Sequence, residues 1–434
     1  MFRSYLAYAA SALVSLPAFG ATLCVNPGGT HGCEKKIQDA VAAASSGDTI
    51  NVSRGTYKED VVVDKPLALV GAGADSTIID AKGLSNGIDV DGLGHPALGR
   101  VIIRGFTVEN ANHQGIVVTN ASDVTIVDNH VTGNDRALEL PPNAPPSCPG
   151  LPPHFVAFQA FDCGEGIQLS GVTNSLVADN LVDHNAGGIL VTDDTGPNHD
   201  NFITGNVVRD NPYDCSITLA THDLNPVSGM PPKGVYHITV KGNTVVRNGL
   251  ASGEGAGVGI FAPTLGSQNY GNVIVDNYLA DNGLPGVTLH SHSPGQNVND
   301  HLIAHNTIYG NGPDAESGTM EKAGIALTAD PGAGPLTGIR IVGNKIFGEG
   351  VDVVFNAPGE LAAHQNNLFD EIGVANLGSG SVDATLNWWK CSRGPGSPGC
   401  GSTQGGNIQV APWLSNPEGD DRDDQHDQDD QHDH

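Results

Sequence analysis

The sequence predicts an all-β solenoid, a stack of coils made from short parallel strands. Three observations carry this. First, a phrase of the form Asn–x–aliphatic–x–x–Asn begins at Asn129 and returns at Asn180, Asn206, Asn243, Asn277 and Asn306, with later copies at Asn344 and Asn366 that end in Glu349 and Glu371. Second, a Gly–aliphatic–x–aliphatic run follows many of these phrases, at Gly166, Gly188, Gly286 and Gly324, and Ser216 opens a variant; Gly115 opens an earlier copy. Third, glycine is abundant, 58 of 434 residues, and aromatics are only 5%. Self-similarity at such spacing marks a repeat fold in which each unit buries its apolar side only against its neighbours. Thin aliphatic rungs and tight turns suit it better than a bulky globular core does.

The elements follow in chain order. Arg3, the apolar stretch 6–16 and Ala18-Phe19-Gly20 read as a signal peptide over residues 1–20, too short to span a membrane. Residues 34–44 read as a helix, because Ile37, Ala40, Val41 and Ala44 share one face. Runs at 49–52, 60–63, 67–70 and 77–79 read as strands bounded by Gly, Asp or Pro. Residues 21–80 are therefore expected to form an N-terminal cap and the first coils, the helix plugging the open end. In each later unit the two aliphatics point inward and the residue between them points outward. The first Asn of each phrase is expected at a bend, paired with its equivalent one coil away. The second is expected to serve a turn, where Asn tolerates left-handed geometry. Residues 381–414 read as closing coils. The Asp- and His-rich segment 415–434 reads as a disordered tail, with His426, His432 and His434 as weak metal ligands.

All seven cysteines follow the expected cleavage point. Their spacing suggests the pairs Cys24–Cys33, Cys148–Cys163 and Cys391–Cys400, as in an oxidising compartment, and leaves Cys215 as a buried thiol. The formal charge of −28 argues against nucleic acid, whose binding needs Lys and Arg on phosphates. It also repels an anionic polysaccharide unless cations bridge the two.

These motifs resemble the right-handed parallel β-helix, or pectin-lyase-like, superfamily, from Asp48 to Leu414. The start from Gly47-Asp48-Thr49-Ile50 to Gly55-Thr56-Tyr57 is similar to the family's usual opening. Asn387-Trp388-Trp389 and Ala411-Pro412-Trp413-Leu414 resemble its closing coils. The resemblance implies a single-stranded right-handed parallel β-helix over residues 21–414 with an N-terminal capping helix. It also implies a polysaccharide as partner and, if the protein is an enzyme, a lyase, hydrolase or epimerase. The alternative is a non-catalytic envelope or adhesive protein.

Loops 141–163, 193–201, 220–236, 262–272, 290–301 and 328–338 are expected to leave one edge of the stack, a common binding edge in solenoids. Aligning Val191, Leu219 and Leu289 brings Asp194, His222 and His292 into one column. Asp193, Asp223 and His290 stand beside it. A His among carboxylates suits proton transfer or metal ligation. The expected catalytic residues are thus Asp194, His222, Asp223 and His292. Those expected to bind substrate are Glu139, Gln168, Asp193 and His290, with Glu139 and Gln168 in an outward column that continues through Leu190, Thr218, Thr288 and Asp352. Neither the polygalacturonase Gly-His-Gly nor the alginate-epimerase Asp-Pro-His-Asp is present, so no family residue role carries over. Any cofactor is expected to be Ca²⁺ or another divalent cation, and the protein a secreted, periplasmic or cell-envelope monomer.

Overall fold

Short strands, joined by tight bends between the first and second sheets and by longer loops elsewhere, stack into a right-handed parallel β-helix. The computed structural model describes residues 20–142, 147–150, 163–222 and 233–419. The expected leader up to residue 19, Asp223, most of the 141–163 insertion and the tail with His426, His432 and His434 lie outside the described residues.

Each coil contributes a strand to three long parallel sheets. Among the described residues the first sheet holds 14 strands, from Thr22–Val25 to Ile408–Gln409. The second holds 12, from Gly55–Tyr57 to Trp388–Trp389, and the third also 12, from Val61–Val63 to Ser402–Gly405. The register is in step over most of its length. In the third sheet Ile167, Ile189, Ile217, Val258, Val287 and Ile325 are successive partners, as are Leu169, Val191, Leu219, Ile260, Leu289 and Leu327. All twelve are buried in one continuous core. Each such side chain contributes about 1.5–3 kcal/mol by leaving water. The capping helix, Ile37–Ala43, closes the N-terminal end and buries Ile37, Ala40 and Val41 in that core.

The Asn phrases explain how the chain turns. Asn129, 180, 206, 243, 277, 306, 344, 366 and 387 form one internal ladder at the bend between first and second sheets. In it the backbone N–H and Nδ2 of one Asn both donate to Oδ1 of the next, as from Asn206 to Asn243 at 2.9 and 3.0 Å. The second Asn of the phrase departs from expectation. It is not the left-handed turn residue. Asn134, 185, 211, 248, 282 and 311 form a second buried ladder, at the exit from the second sheet. The left-handed residue is the one just before each ladder position, such as Asp179 (φ 53°), Asp210 (φ 55°) or Asp276 (φ 58°). That residue swings the next side chain inward, where an amide can satisfy the bend's unpaired backbone groups. The second ladder then runs into acids: Asn311 donates to Glu349 Oε1, and the Glu349 N–H donates to Asp370 Oδ2 at 2.9 Å. Asp370 therefore holds the rung that the repeat spacing assigned to Glu371.

The recurrent Gly has a packing cause. A Cβ on Gly166 would strike Val182, and one on Gly188 would strike Val208 and the Ser216 carbonyl. The aliphatic of the Asn phrase fills the space a side chain would need. All three expected disulfides are formed.

Loops flank the third sheet on both edges, which corrects the single-edge expectation. Loops 193–201, 263–268 and 292–300 lead from the third sheet to the first. The 141–163 insertion and the segment 311–322 instead connect the second sheet to the third, so they flank the opposite edge. A three-stranded ribbon, Asn198–His199, Val235–Tyr236 and Asn269–Tyr270, ties three loops of the first edge together. His199 stacks on Tyr236 at 4.8 Å, and Tyr236 on Tyr270 at 5.0 Å.

Candidate functional site

Sequence alignment of the third-sheet strands placed an outward column from Glu139 to Asp352. The register keeps Gln168, Leu190, Thr218 and Thr288 in one column, which Val117, Gly259, Ala326, Val354 and Ala375 complete, and drops Glu139 and Asp352. Glu139 stands outside it, in the second-to-third-sheet loop, where it bridges to Ser147. Asp352 precedes its strand's column position by two residues. The column is not an open groove floor either, because Gln168, Leu190, Thr218 and Thr288 are all buried. Gln168 accepts a hydrogen bond from Gln114 at 2.9 Å.

The column three residues beyond the inward aliphatics brings its members together as two separate centres. In the first, Asp194 stands two residues beyond its strand Gly187–Thr192, and His222 two residues beyond the next, Ile217–Ala220. His222 Nδ1 lies 3.1 Å from Asp194 Oδ1, and the His222 N–H donates to Asp193 Oδ1 at 2.6 Å. Thr192 Oγ1 donates to Asp194 Oδ2 at 2.7 Å, and Lys233 Nζ to the Asp194 carbonyl at 3.1 Å. Burial alone raises the Asp194 carboxyl; His222, Thr192 and Lys233 outweigh it and hold it below the usual carboxylate range. The exposure decides what this pair can do. The His222 side chain is 0% exposed and that of Asp194 7%, so the described structure offers no direct approach to them.

The second centre lies two coils on, about 10 Å along the axis at one strand spacing per coil. His290 and His292 come from the strand Val287–Ser291 and the residue after it. Three carboxylates meet them. Asp314 and Glu316 arrive from the opposite loop, where Asp314 caps a short 3-10 turn, Ala315–Ser317, by accepting from the Glu316 N–H. Asp330 follows the next strand, Ala323–Ala329. His290 Nε2 lies 2.7 Å from Asp314 Oδ2, which also accepts from Thr288 Oγ1 at 2.7 Å. His292 Nδ1 lies 3.2 Å from Asp330 Oδ2. Glu316 Oε2 faces both rings, 3.4 Å from His290 Nδ1 and 3.7 Å from His292 Nε2. Phe261, from the intervening coil, packs on His290 with ring centroids 5.2 Å apart. Burial works to lower the His290 pKa, but Asp314, Glu316 and Asp330 outweigh it and raise it. The same pairing outweighs burial at Asp314 and lowers its pKa. This centre is reachable: the side chains of His292 and Glu316 are 27% and 56% exposed.

Asp314, Glu316 and Asp330 were missed in the sequence. Asp330 had a signal, since it stands three residues beyond Leu327, in the same column as His292. Asp314 and Glu316 had none, because they cross from the other edge of the sheet.

Cys215 is no candidate nucleophile. It is buried, and burial, reinforced by Asp214, pushes its thiol well above the ordinary range. A maleimide followed by mass spectrometry should leave Cys215 unlabelled in the native protein and label it on unfolding; native labelling would contradict this burial.

A family described as "Right handed beta helix region" matches residues 76–230, and one described as "Periplasmic copper-binding protein (NosD)" matches residues 155–317. No curated protein matches the chain. Among solved structures, the A-module of the Azotobacter vinelandii mannuronan C-5 epimerase AlgE6 superposes with a TM-score of 0.52 at 16% identity, covering 88% of this chain and 93% of that one. Tailspike protein 2 of Escherichia coli O157:H7 bacteriophage CAB120 gives 0.49 at 13% identity, over 80% of this chain and 43% of that one. The catalytic domain of a GH87 α-1,3-glucanase gives 0.48 at 13%, over 91% and 69%. At such identities the likeness concerns the fold.

Proposed function

We propose that this chain, a member of the right-handed parallel β-helix superfamily, is a carbohydrate-active protein that holds an extended polysaccharide along the loop-flanked side of its third sheet. Processing, of lyase, hydrolase or epimerase type, is assigned to the centre formed by His290, His292 and Glu316. The observation that carries this reading is the convergence of two imidazoles, each held from behind by its own carboxylate, on a third, exposed carboxylate. An imidazole pinned in this way presents a nitrogen of fixed direction, which suits proton transfer to or from a bound group. Near-complete overlap with a mannuronan epimerase module supports the substrate class, and so does a solenoid edge that spans several coils. The buried Asp194–His222 pair is placed here as a positioning element that fixes its loop. Glu139, Gln168 and Asp193 stay at the margins of the proposed path.

Copper, in the name of the matched NosD family, has suitable donors in the same centre, since imidazole with carboxylate accepts Cu²⁺ as well as Zn²⁺. Bound there, such an ion supplies a Lewis acid that polarises an oxygen or offsets a sugar carboxylate. The periplasmic family match and three disulfides favour a site of action outside the cytoplasm. No helix among the described residues is long and apolar enough to cross a membrane.

The test is incubation with a panel of neutral and uronate polysaccharides, with and without divalent cations. New reducing ends, unsaturated uronate absorbance and altered uronate stereochemistry are the readouts. Turnover is expected to fall at least 100-fold in His292→Ala and Glu316→Gln. Binding without turnover favours the non-catalytic envelope protein, and neither binding nor turnover overturns the carbohydrate reading.

A further inference from the structure

We infer that His290, His292 and Glu316 form a mononuclear site for a divalent first-row transition ion, with Asp314 and Asp330 as its outer carboxylates. The inference shares its residues with the proposed function but needs no sugar, so the two stand or fall separately.

One donor atom from each of the three residues lies within 4.8 Å of the others. His290 Nδ1 and His292 Nε2 are 3.4 and 3.7 Å from the same oxygen, Glu316 Oε2. A tetrahedral ion with bonds of about 2.0–2.1 Å spaces its donors about 3.3 Å apart. Closing the two gaps to Glu316 therefore takes a few tenths of an ångström, and the two ring nitrogens, which lie within 4.8 Å of one another, close by at most about 1.5 Å. Glu316 has that freedom, since its side chain is 56% exposed.

The outer carboxylates distinguish this cluster from a chance meeting of charges. For each ring, the nitrogen turned away from Glu316 is the one bonded to an Asp. His290 Nε2 meets Asp314 at 2.7 Å, and His292 Nδ1 meets Asp330 at 3.2 Å. A carboxylate on the far N–H fixes the tautomer and aims the other nitrogen's lone pair inward, as ligating histidines are normally held. Asp314 is itself fixed: it is buried and accepts from Thr288 Oγ1 and the Glu316 N–H. Two His and one carboxylate leave coordination positions free for water or another oxygen ligand. Such a set selects Zn²⁺ or Cu²⁺; Ca²⁺ and Mg²⁺ take oxygen donors.

The test uses the full chain, stripped with a chelator and titrated calorimetrically with Zn²⁺ and, separately, Ca²⁺, with no polysaccharide present. One tight equivalent of Zn²⁺ is expected in the wild type and lost in His292→Ala, at a half-buried position, and in Glu316→Gln, at an exposed one. Asp330→Asn should keep the equivalent but weaken it about 10- to 100-fold. Bound Cu²⁺ should show nitrogen coupling from two imidazoles in its paramagnetic resonance spectrum, reduced to one in His292→Ala. Joint replacement of His426, His432 and His434 by Gln controls for the tail and should leave this equivalent intact. Equal Zn²⁺ affinity in wild type and His292→Ala, loss of the equivalent with the tail substitution, or tighter Ca²⁺ than Zn²⁺ binding would each overturn the site.

Discussion

Replacing Asn248 by leucine is expected to destabilise the protein by about 3 kcal/mol or more, although leucine is close in size and the core is aliphatic. The cost is electrostatic. Asn248 Oδ1 accepts from both the backbone N–H and Nδ2 of Asn211, at 3.1 and 2.9 Å. Its own Nδ2 lies within reach of the carbonyls of Val208 and Val246 and of Asn282 Oδ1. Leucine leaves the Asn211 backbone N–H and one of its two Nδ2 hydrogens without an acceptor, while the other keeps the Val182 carbonyl, and each orphan costs about 1–3 kcal/mol. Solenoid coils touch only their neighbours, so the damage should spread from this coil rather than act uniformly. Hydrogen exchange should rise first at Asn211 and in the strands around it. Asn248→Asp is the informative control: it keeps the acceptor but lacks the donor and adds a buried charge, so it should also destabilise. A leucine variant with an unchanged denaturation midpoint and unchanged exchange at Asn211 would show the ladder to be ornamental.

The ladder also shows what the sequence can and cannot tell. Asn129, Asn180 and Asn206 announce themselves because every coil repeats the same bend, and a periodic need leaves a periodic letter. The inward aliphatics are legible for the same reason, whereas the short-range disulfides are legible from close cysteine spacing and the capping helix from its single apolar face. The second ladder was misread because Asn is at home both in left-handed turns and in buried amide stacks. The phrase does not say which; the left-handed role falls instead on the residue before it, a position occupied by Asp, Gly, His or Arg. Side chains that meet across the third sheet were the hardest to see. The Asp194–His222 contact follows from register alone, since both leave the same edge of adjacent strands. Asp314 and Glu316 reach His290 and His292 from the opposite edge, through a loop whose path no repeat specifies. Burial was misjudged as well. Gln168 and Thr288 alternate as outward residues should, yet both are buried, because strand alternation encodes direction and not what lies over the face.

The acids that end the second ladder set a pH limit on the fold. Glu349 takes the place of an Asn: its Oε1 accepts from the Asn311 N–H and Nδ2, at 3.0 and 3.1 Å, while Oε2 is buried without a partner. Burial, which outweighs these two bonds, pushes its pKa up to about 8, and Asp370 adds to the rise against a small opposing pull from Lys322. Asp352 beside it is fully buried and raised well above its ordinary range. A carboxyl whose folded pKa lies above its unfolded value contributes fully below about pH 4.5, and that contribution is lost as pH rises towards 8. The fold should therefore weaken across this window, by at most about 5 kcal/mol from Glu349 at ~1.4 kcal/mol per pH unit. Glu349→Gln removes the titration and keeps the acceptor. Its new N–H group replaces the orphaned oxygen and extends the amide pattern towards Asp370. The variant should match wild type in denaturation midpoint near pH 4.5 and exceed it increasingly up to about pH 8, where the gap levels off. Asp352 continues to titrate, so some slope should remain in both proteins. A gap that stays constant from pH 4.5 to 8.5 would mean that Glu349 is ionised in the folded chain, and that the last rungs of this ladder hold charge where the others hold amides.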